Sequence, residues 1–220
     1  MKKFDMKKYL LKHNISTIKK ELDGLNIKKI VRNYANSLNL HGRIKTIGWG
    51  NFGIAFLIDD KVIKLTKDLS EAHYAQKLLH KQFKHLPYYY DVKKINFKSK
   101  DLNLAFICLE KLKMLSENDK KLLHKFKYFG NIHNFFNPNI ILDVKKIEEE
   151  LSNYDETQKE RMLFLITKLK EMSNEFHKYK INVSDFHENN IGWKDSNLAF
   201  FDMGISNFDS YNIKKTYYYK

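Results

Sequence analysis

Between residues 44 and 112 the apolar residues come in short runs. "IAFLIDDKVIKL" sets two of them around Asp59-Asp60, and "YYYDVKKINF" and "NLAFICLEKL" follow in the same manner. Short apolar runs bounded by turn residues predict β-strands, and Asp59-Asp60 predicts a hairpin. Between residues 157 and 179 the period changes. Met162, Leu165, Ile166, Leu169, Met172, Phe176 and Tyr179 recur every three or four positions, the spacing of one buried helical face. A strand-rich first half followed by a helix-rich second half is an α+β pattern, and it predicts two lobes joined near 110–116.

The remaining segments fill in this frame. Residues 4–39 read as helix in short pieces, with Asn14 or Ser16 as a cap. Within them Ile27, Ile30, Val31, Tyr34 and Leu38 keep helical spacing. "SEAHYAQKLLHKQF" predicts a helix capped by Ser70, with Tyr74, Leu78 and Leu79 as a stripe broadened by Ala75. Helices are predicted at 117–128 and 140–153, flanking the irregular "FGNIHNFFNPN". The expected organisation is a helical N-terminal extension at 1–43, an antiparallel sheet with one helix at 44–112, and a helical lobe at 113–220.

Composition narrows the class. With 220 residues, 43% of them hydrophobic, the chain has the material for a packed core. The single cysteine, Cys108, excludes an internal disulfide and points to a reducing compartment. "MKKFDMKKYLLKHNIS" lacks the apolar centre of a signal peptide. No apolar run approaches the roughly 18–20 residues of a membrane span. The expectation is a soluble, cytoplasmic protein with no membrane partner. Forty basic residues against 26 acidic ones give +14, a field that attracts nucleic acid, nucleotide phosphates, an acidic protein or anionic lipid. The lysines are spread in pairs, so the same excess also suits a solubilising surface.

Five features carry chemistry. "GWGNFG" places three of the eight glycines, Gly48, Gly50 and Gly53, within six positions. Glycines let backbone amides approach a phosphate, although an ordinary loop has the same composition. A strand follows this loop rather than a helix, so it belongs to a hairpin and not to a dinucleotide-binding turn. In "KVIKL", alternation puts Val62 and Lys64 on one strand face. An inward lysine needs an anionic partner, and Glu71 in the next helix is within reach; the alternative is a lysine that snorkels to solvent. "ICLEKL" leaves a strand with backbone donors and acceptors suited to a flat heterocycle, but by itself it reads first as an edge strand. In "NVSDFHENNIGWKDSNLAFFDMG", Asp185 can orient an attacking hydroxyl and His187 can donate to a phosphate oxygen. Asn190 and Asp202, on either side of a small hairpin, are hard oxygen ligands for Mg²⁺. Each is also a common surface-turn residue.

Their order is informative. Glycine loop, strand lysine, helix glutamate, extended connector, D-x4-N and D-x-G follow one another as in the protein-kinase signature set. Over residues 44–204 the chain resembles the protein-kinase-like phosphotransferase superfamily, and more narrowly the small divergent kinase-like proteins of phages and large viruses. The resemblance implies a minimal two-lobed kinase-like fold with a truncated C-terminal lobe, and ATP with Mg²⁺ as cofactors. By it Gly48, Gly50 and Gly53 cover the nucleotide, with Phe52 at the loop tip. Val62 lines the nucleotide pocket, Lys64 meets the α/β phosphates, and Glu71 pairs with Lys64. Leu109, Glu110 and Leu112 line the hinge, Asp185 is the catalytic aspartate, and Asn190 and Asp202 hold the metal.

The chain departs from the family's pattern in several places. Val183-Ser184 stand where the family has His-Arg, which removes the arginine that engages a phosphorylated activation loop. Met203 takes the middle of D-F-G. His187 replaces a lysine, as in kinases of small molecules. Gly192 falls where a leucine often floors the adenine pocket, so that floor must come from elsewhere. Lys64 and Glu71 lie only seven positions apart. Residues 205–220 are too few for an activation segment, its anchor and further helices, and the helices at 4–39 are expected to cover the surface these would occupy. The implied activity is transfer of phosphate to an alcohol group, with protein Ser/Thr as the preferred acceptor. A small-molecule kinase of the aminoglycoside or choline type shares D-x-H-x-x-N; an acidic pocket for their cationic substrates fits poorly with +14. A pseudokinase or basic binding module would use the same fold as a scaffold.

Overall fold

The computed structural model describes residues 18, 22–97, 102–130, 149, 151–181 and 187–202. The sequence expectations at Asn14, Ser16, Val183, Ser184, Asp185, Met203 and Gly204 lie outside them, as does most of the helix expected at 140–153. The described residues hold four α-helices and eight strands. The chain divides into two units, Met1–Leu79 with Tyr89–Lys111, and His80–Tyr88 with Leu112–Lys220.

The first unit is built on an antiparallel sheet of β1 (Lys45–Trp49), β2 (Gly53–Ile58), β3 (Lys61–Thr66), β4 (Tyr89–Phe97) and β5 (Leu102–Glu110), in the order β1-β2-β3-β5-β4. Asp59 opens the two-residue β2–β3 turn with φ 53°, a left-handed conformation that short polar side chains tolerate. Alternation sends Ile54, Phe56, Ile58, Ile63, Leu65, Leu104, Phe106 and Cys108 to one face. Helix α1 (Ile27–Ser37) covers that face with Val31, Tyr34 and Ala35. The Tyr34 ring stacks on Phe106 at 4.2 Å, and its hydroxyl donates to Asp91 at 2.7 Å. Burial pushes the Tyr34 phenol up, with the Asp91 hydrogen bond adding to it, and pushes the Cys108 thiol up to about 12. A thiol this reluctant to ionise packs as a small apolar group.

α1 thus joins the first unit's core. One expectation changes here. The stretch 107–112 is not an edge strand, because β5 lies between β3 and β4. Its residues Leu104–Leu109 are buried without interruption. That pattern belongs to an interior strand covered on both faces. The second face is covered by α2 (Leu69–Leu78), which buries Glu71, Ala72, Ala75 and Leu78; Tyr74 and Leu79 are only half-buried.

In the second unit, α3 (Glu117–Gly130) and α4 (Glu156–Lys178) accompany a small sheet ordered β6 (Lys113–Met114), β7 (Ile191–Lys194) and β8 (Asn197–Phe200). α4 starts at Asp155, whose side chain accepts the Gln158 N–H at 2.9 Å. It buries Met162, Leu165, Ile166, Leu169, Met172 and Phe176 as their spacing predicts, with Ser173 in addition. Tyr179 does not join them: it caps the helix, stays exposed, and meets the Phe83 ring edge-on at 5.2 Å. Arg161 donates through Nε and Nη2 to the two Asp119 oxygens at 2.7 and 2.8 Å, tying α4 to α3. This guanidinium holds the Asp119 carboxyl below its usual range.

Residues 80–83 depart from the helix expected there, because α2 stops at an extended Leu79 followed by His80 at φ 60°. Residues 80–88 belong to the second unit, where the Glu175 carboxylate accepts the Lys84 and His85 N–H groups at 3.1 and 2.9 Å. The His85 carbonyl accepts the Phe200 N–H at 3.0 Å, and its Nδ1 meets the Leu198 carbonyl at 2.7 Å. This segment therefore anchors the β7–β8 hairpin.

Candidate functional site

The β1–β2 loop closes through the Gly50 N–H, which donates to the Gly53 carbonyl at 2.8 Å. The Phe52 carbonyl accepts from the Lys67 N–H at 2.8 Å and from the Thr66 hydroxyl at 3.2 Å. Lys67 Nζ also lies 5.8 Å from the centre of the Phe52 ring. Positive φ has no part in this loop, since among the described glycines only Gly24 has it. Space at Gly53 is tight instead. A Cβ there would sit 3.2 Å from Lys64 Cε and 3.1 Å from the Leu65 carbonyl oxygen.

Lys64 occupies that space. It faces Ala55 on β2 and Ile107 on β5, and its Nζ lies 2.5 Å from Glu71 Oε1. The lysine side chain is 18% exposed and the glutamate 5%, so the snorkelling alternative does not hold. The seven-residue separation works because β3 leads directly into α2. Asp68 makes that turn: its carboxylate accepts the Ser70 and Glu71 N–H groups at 2.9 and 3.2 Å and the Ser70 hydroxyl, while its own N–H donates to Thr66 Oγ1 at 3.1 Å. Asp68, not Ser70, is thus the cap. The Asp68-x-x-Glu71 spacing, close to a capping box, is the sequence signal for it. Val62 shares the Lys64 face, half-buried opposite Leu109. Glu110 ends β5 opposite Lys61.

The second unit positions the other polar group. Asn190 is buried at the end of a short 3-10 turn, Glu188–Asn190, and its N–H donates to the His187 carbonyl at 2.9 Å. The Asn190 carbonyl accepts the Phe201 N–H at 3.0 Å, one step beyond the Ile191–Phe200 pair. Asn190 and Asp202 therefore stand at the same end of the hairpin, whose turn carries Asp195 at φ 53°. An amide and a carboxylate oxygen are the donor types that suit Mg²⁺. Among the described residues no cluster of three His, Cys, Asp or Glu stands ready for a metal. His187 caps the 3-10 turn, its Nδ1 accepting the Asn189 N–H at 3.2 Å.

Leu112 belongs to this unit rather than to the strand unit, and it explains Gly192. A Cβ on Gly192 would lie 3.0 Å from both Leu112 Cβ and the Lys113 carbonyl oxygen. The Leu112 side chain fills the space that a larger residue at 192 would take. Beside the 3-10 turn, a cavity of about 550 Å³ is lined by Lys121, His124, Lys125, Gln158, Glu188 and Asn189 among others. His124 Nδ1 meets Glu188 Oε1 at 3.0 Å across it. His85 and Glu175 leave no local mark in the sequence, since their contacts join residues about ninety positions apart.

No protein-family profile matches the chain, and no curated protein does. Among solved structures it is similar to a MAP kinase from Leishmania major, with a TM-score of 0.39 at 11% identity, covering 82% of this chain and 51% of that one. The chain spans about half the length of that kinase. Among the described residues no helix is long and apolar enough to cross a membrane.

Proposed function

We propose that this protein is a kinase-like phosphotransferase that uses ATP and Mg²⁺ and acts on the hydroxyl of a protein serine or threonine. The observation that supports this best is the Lys64–Glu71 pair, formed beside Gly53, whose Cα the lysine stem closely approaches. A buried ion pair contributes little net stability compared with apolar packing. Its occurrence beside a glycine-rich hairpin suits a role in holding phosphate.

In this reading Lys64 binds the α/β phosphates and Glu71 keeps its ammonium in place. The backbone at Gly48, Gly50 and Gly53 covers the phosphates, with Phe52 at the tip. Val62, Leu109, Glu110 and Leu112 contact the adenine, and Leu112 takes over the floor that Gly192 cannot supply. Asn190 and Asp202 hold the metal, and Asp185 orients the acceptor hydroxyl. Bound Mg²⁺·ATP supplies the phosphoryl group and part of the charge that offsets its oxygens. The protein contributes positioning and electrostatics.

A second reading, a small-molecule acceptor, is supported by the D-x-H-x-x-N spacing of Asp185, His187 and Asn190, which resembles that of the aminoglycoside and choline kinases. Transfer of labelled phosphate from ATP tests both readings. Asp185→Asn and Asp202→Ala should each lower the rate about a hundredfold or more. Undiminished transfer in both variants sinks the enzyme reading. Label appearing on protein selects the first acceptor class, and ATP consumption driven only by added metabolites selects the second.

A further inference from the structure

The tip of the glycine loop is held from two sides. On one, the Phe52 carbonyl is tied to Lys67 and Thr66, and through Thr66 to the Asp68 cap of the helix that carries Glu71. On the other, the Asn51 carbonyl accepts the Ile18 N–H at 3.0 Å. Ile18 is a fixed donor. It is fully buried in the same apolar cluster as Leu22, Ile54 and Phe106, and its carbonyl accepts the Leu22 N–H at 3.0 Å. Carbonyl oxygens turned toward a phosphate would repel it, so a backbone anion site needs them engaged elsewhere. At this tip both are engaged by protein donors.

We infer that Ile18 is a positioning residue, a latch from the N-terminal segment that keeps the glycine loop in its nucleotide-binding form and so sets nucleotide affinity. This rests on the phosphotransferase reading above. The latch acts through a main-chain N–H, so it survives any side-chain change that keeps Ile18 buried, and it is lost when the amide hydrogen is lost. By reciprocity, a bond that favours nucleotide binding is itself favoured by bound nucleotide.

Ile18→Pro deletes the donor. Leu22→Ala removes volume from the same cluster and keeps the donor. Both are compared with the full-length wild type in amide hydrogen exchange over residues 48–53 and in equilibrium binding of Mg²⁺·ATP, at a temperature where circular dichroism finds each folded. Ile18→Pro should speed exchange in the loop and weaken ATP binding about tenfold, a typical coupling. Leu22→Ala should leave both near wild type, and Ile18→Val should restore both. Equal changes in the proline and alanine variants, or no change with proline, overturn the latch. Should Ile18→Pro not fold, the wild type decides: the Ile18 amide, followed by NMR, must exchange about tenfold more slowly with saturating ATP, and an unchanged rate overturns the proposal. If the wild type binds no ATP, the phosphotransferase reading fails by itself, and the loop-exchange comparison alone judges whether Ile18 holds the loop.

Discussion

Lys64 and Glu71 meet through their side chains, an ammonium and a carboxylate held at 2.5 Å in a largely buried setting. Asn190 and Asp202 are brought to one hairpin end by the main chain, through the β7–β8 ladder, the Phe201–Asn190 hydrogen bond and the anchor at His85. The first arrangement depends on charge balance, because removing one member leaves its partner buried. The second depends on backbone fit, because the strands stay paired whatever the side chain at 202 is. The two candidate pairs are thus positioned by different forces, and substitutions should expose the difference.

The largest effect is expected where charge balance is broken. Lys64→Met should destabilise the strand unit by about 3 kcal/mol, the cost of leaving a buried carboxylate without its cation. Lys64→Met with Glu71→Leu should recover most of that loss in chemical denaturation. A single variant as stable as the wild type would show that this pair does not hold α2 to the sheet.

A smaller effect is expected where backbone fit is broken. Gly192→Ala puts a Cβ against the Lys113 carbonyl and Leu112, and should cost about 1–3 kcal/mol, as overpacking does. Gly48→Ala meets nothing nearer than Ala55 Cβ at 3.9 Å, and should change stability by less than about 0.5 kcal/mol. Equal denaturation midpoints for the two variants would erase the contrast between the two regions.

A modest effect is also expected at one ion pair of the second unit, Arg161 with Asp119. Arg161 depresses the Asp119 pKa, so this contribution is present above the ordinary aspartate range, near about 4. It is lost as pH falls through the lower value of the folded state. Because the Arg161 side chain is 39% exposed, solvent screening limits the contribution, and Asp119→Asn should cost about 1 kcal/mol at pH 7. The deficit should shrink on acidification. A urea midpoint difference that stays constant from neutral to strongly acidic pH would contradict this assignment.

Much of the architecture was legible before any coordinates. The Asp59-Asp60 turn, the strands on either side of it, and the long helix with Met162, Leu165 and Phe176 inside all follow from turn chemistry and hydrophobic period. The Lys64–Glu71 partnership came from the order of the motifs and the resemblance it carries; the lysine alone favoured a side chain that snorkels to solvent, and the structure pairs it instead. Tyr179 shows where periodicity stops being informative: it fits the repeat, but the helix ends there and the ring turns to solvent.

By itself, the sequence determined the elements, their order and the spacing of the candidate polar residues. These are recorded in contiguous residues, where period and turn propensity act over a few positions. The tertiary structure decided which face α1 covers, that β5 runs through the sheet interior, that residues 80–88 belong with α4 and the hairpin, and that Ile18 reaches Asn51. Those outcomes come from main-chain donors and acceptors satisfied by groups tens of residues away. Every residue but proline has the same N–H and C=O, so such pairings leave no residue-type mark in the chain.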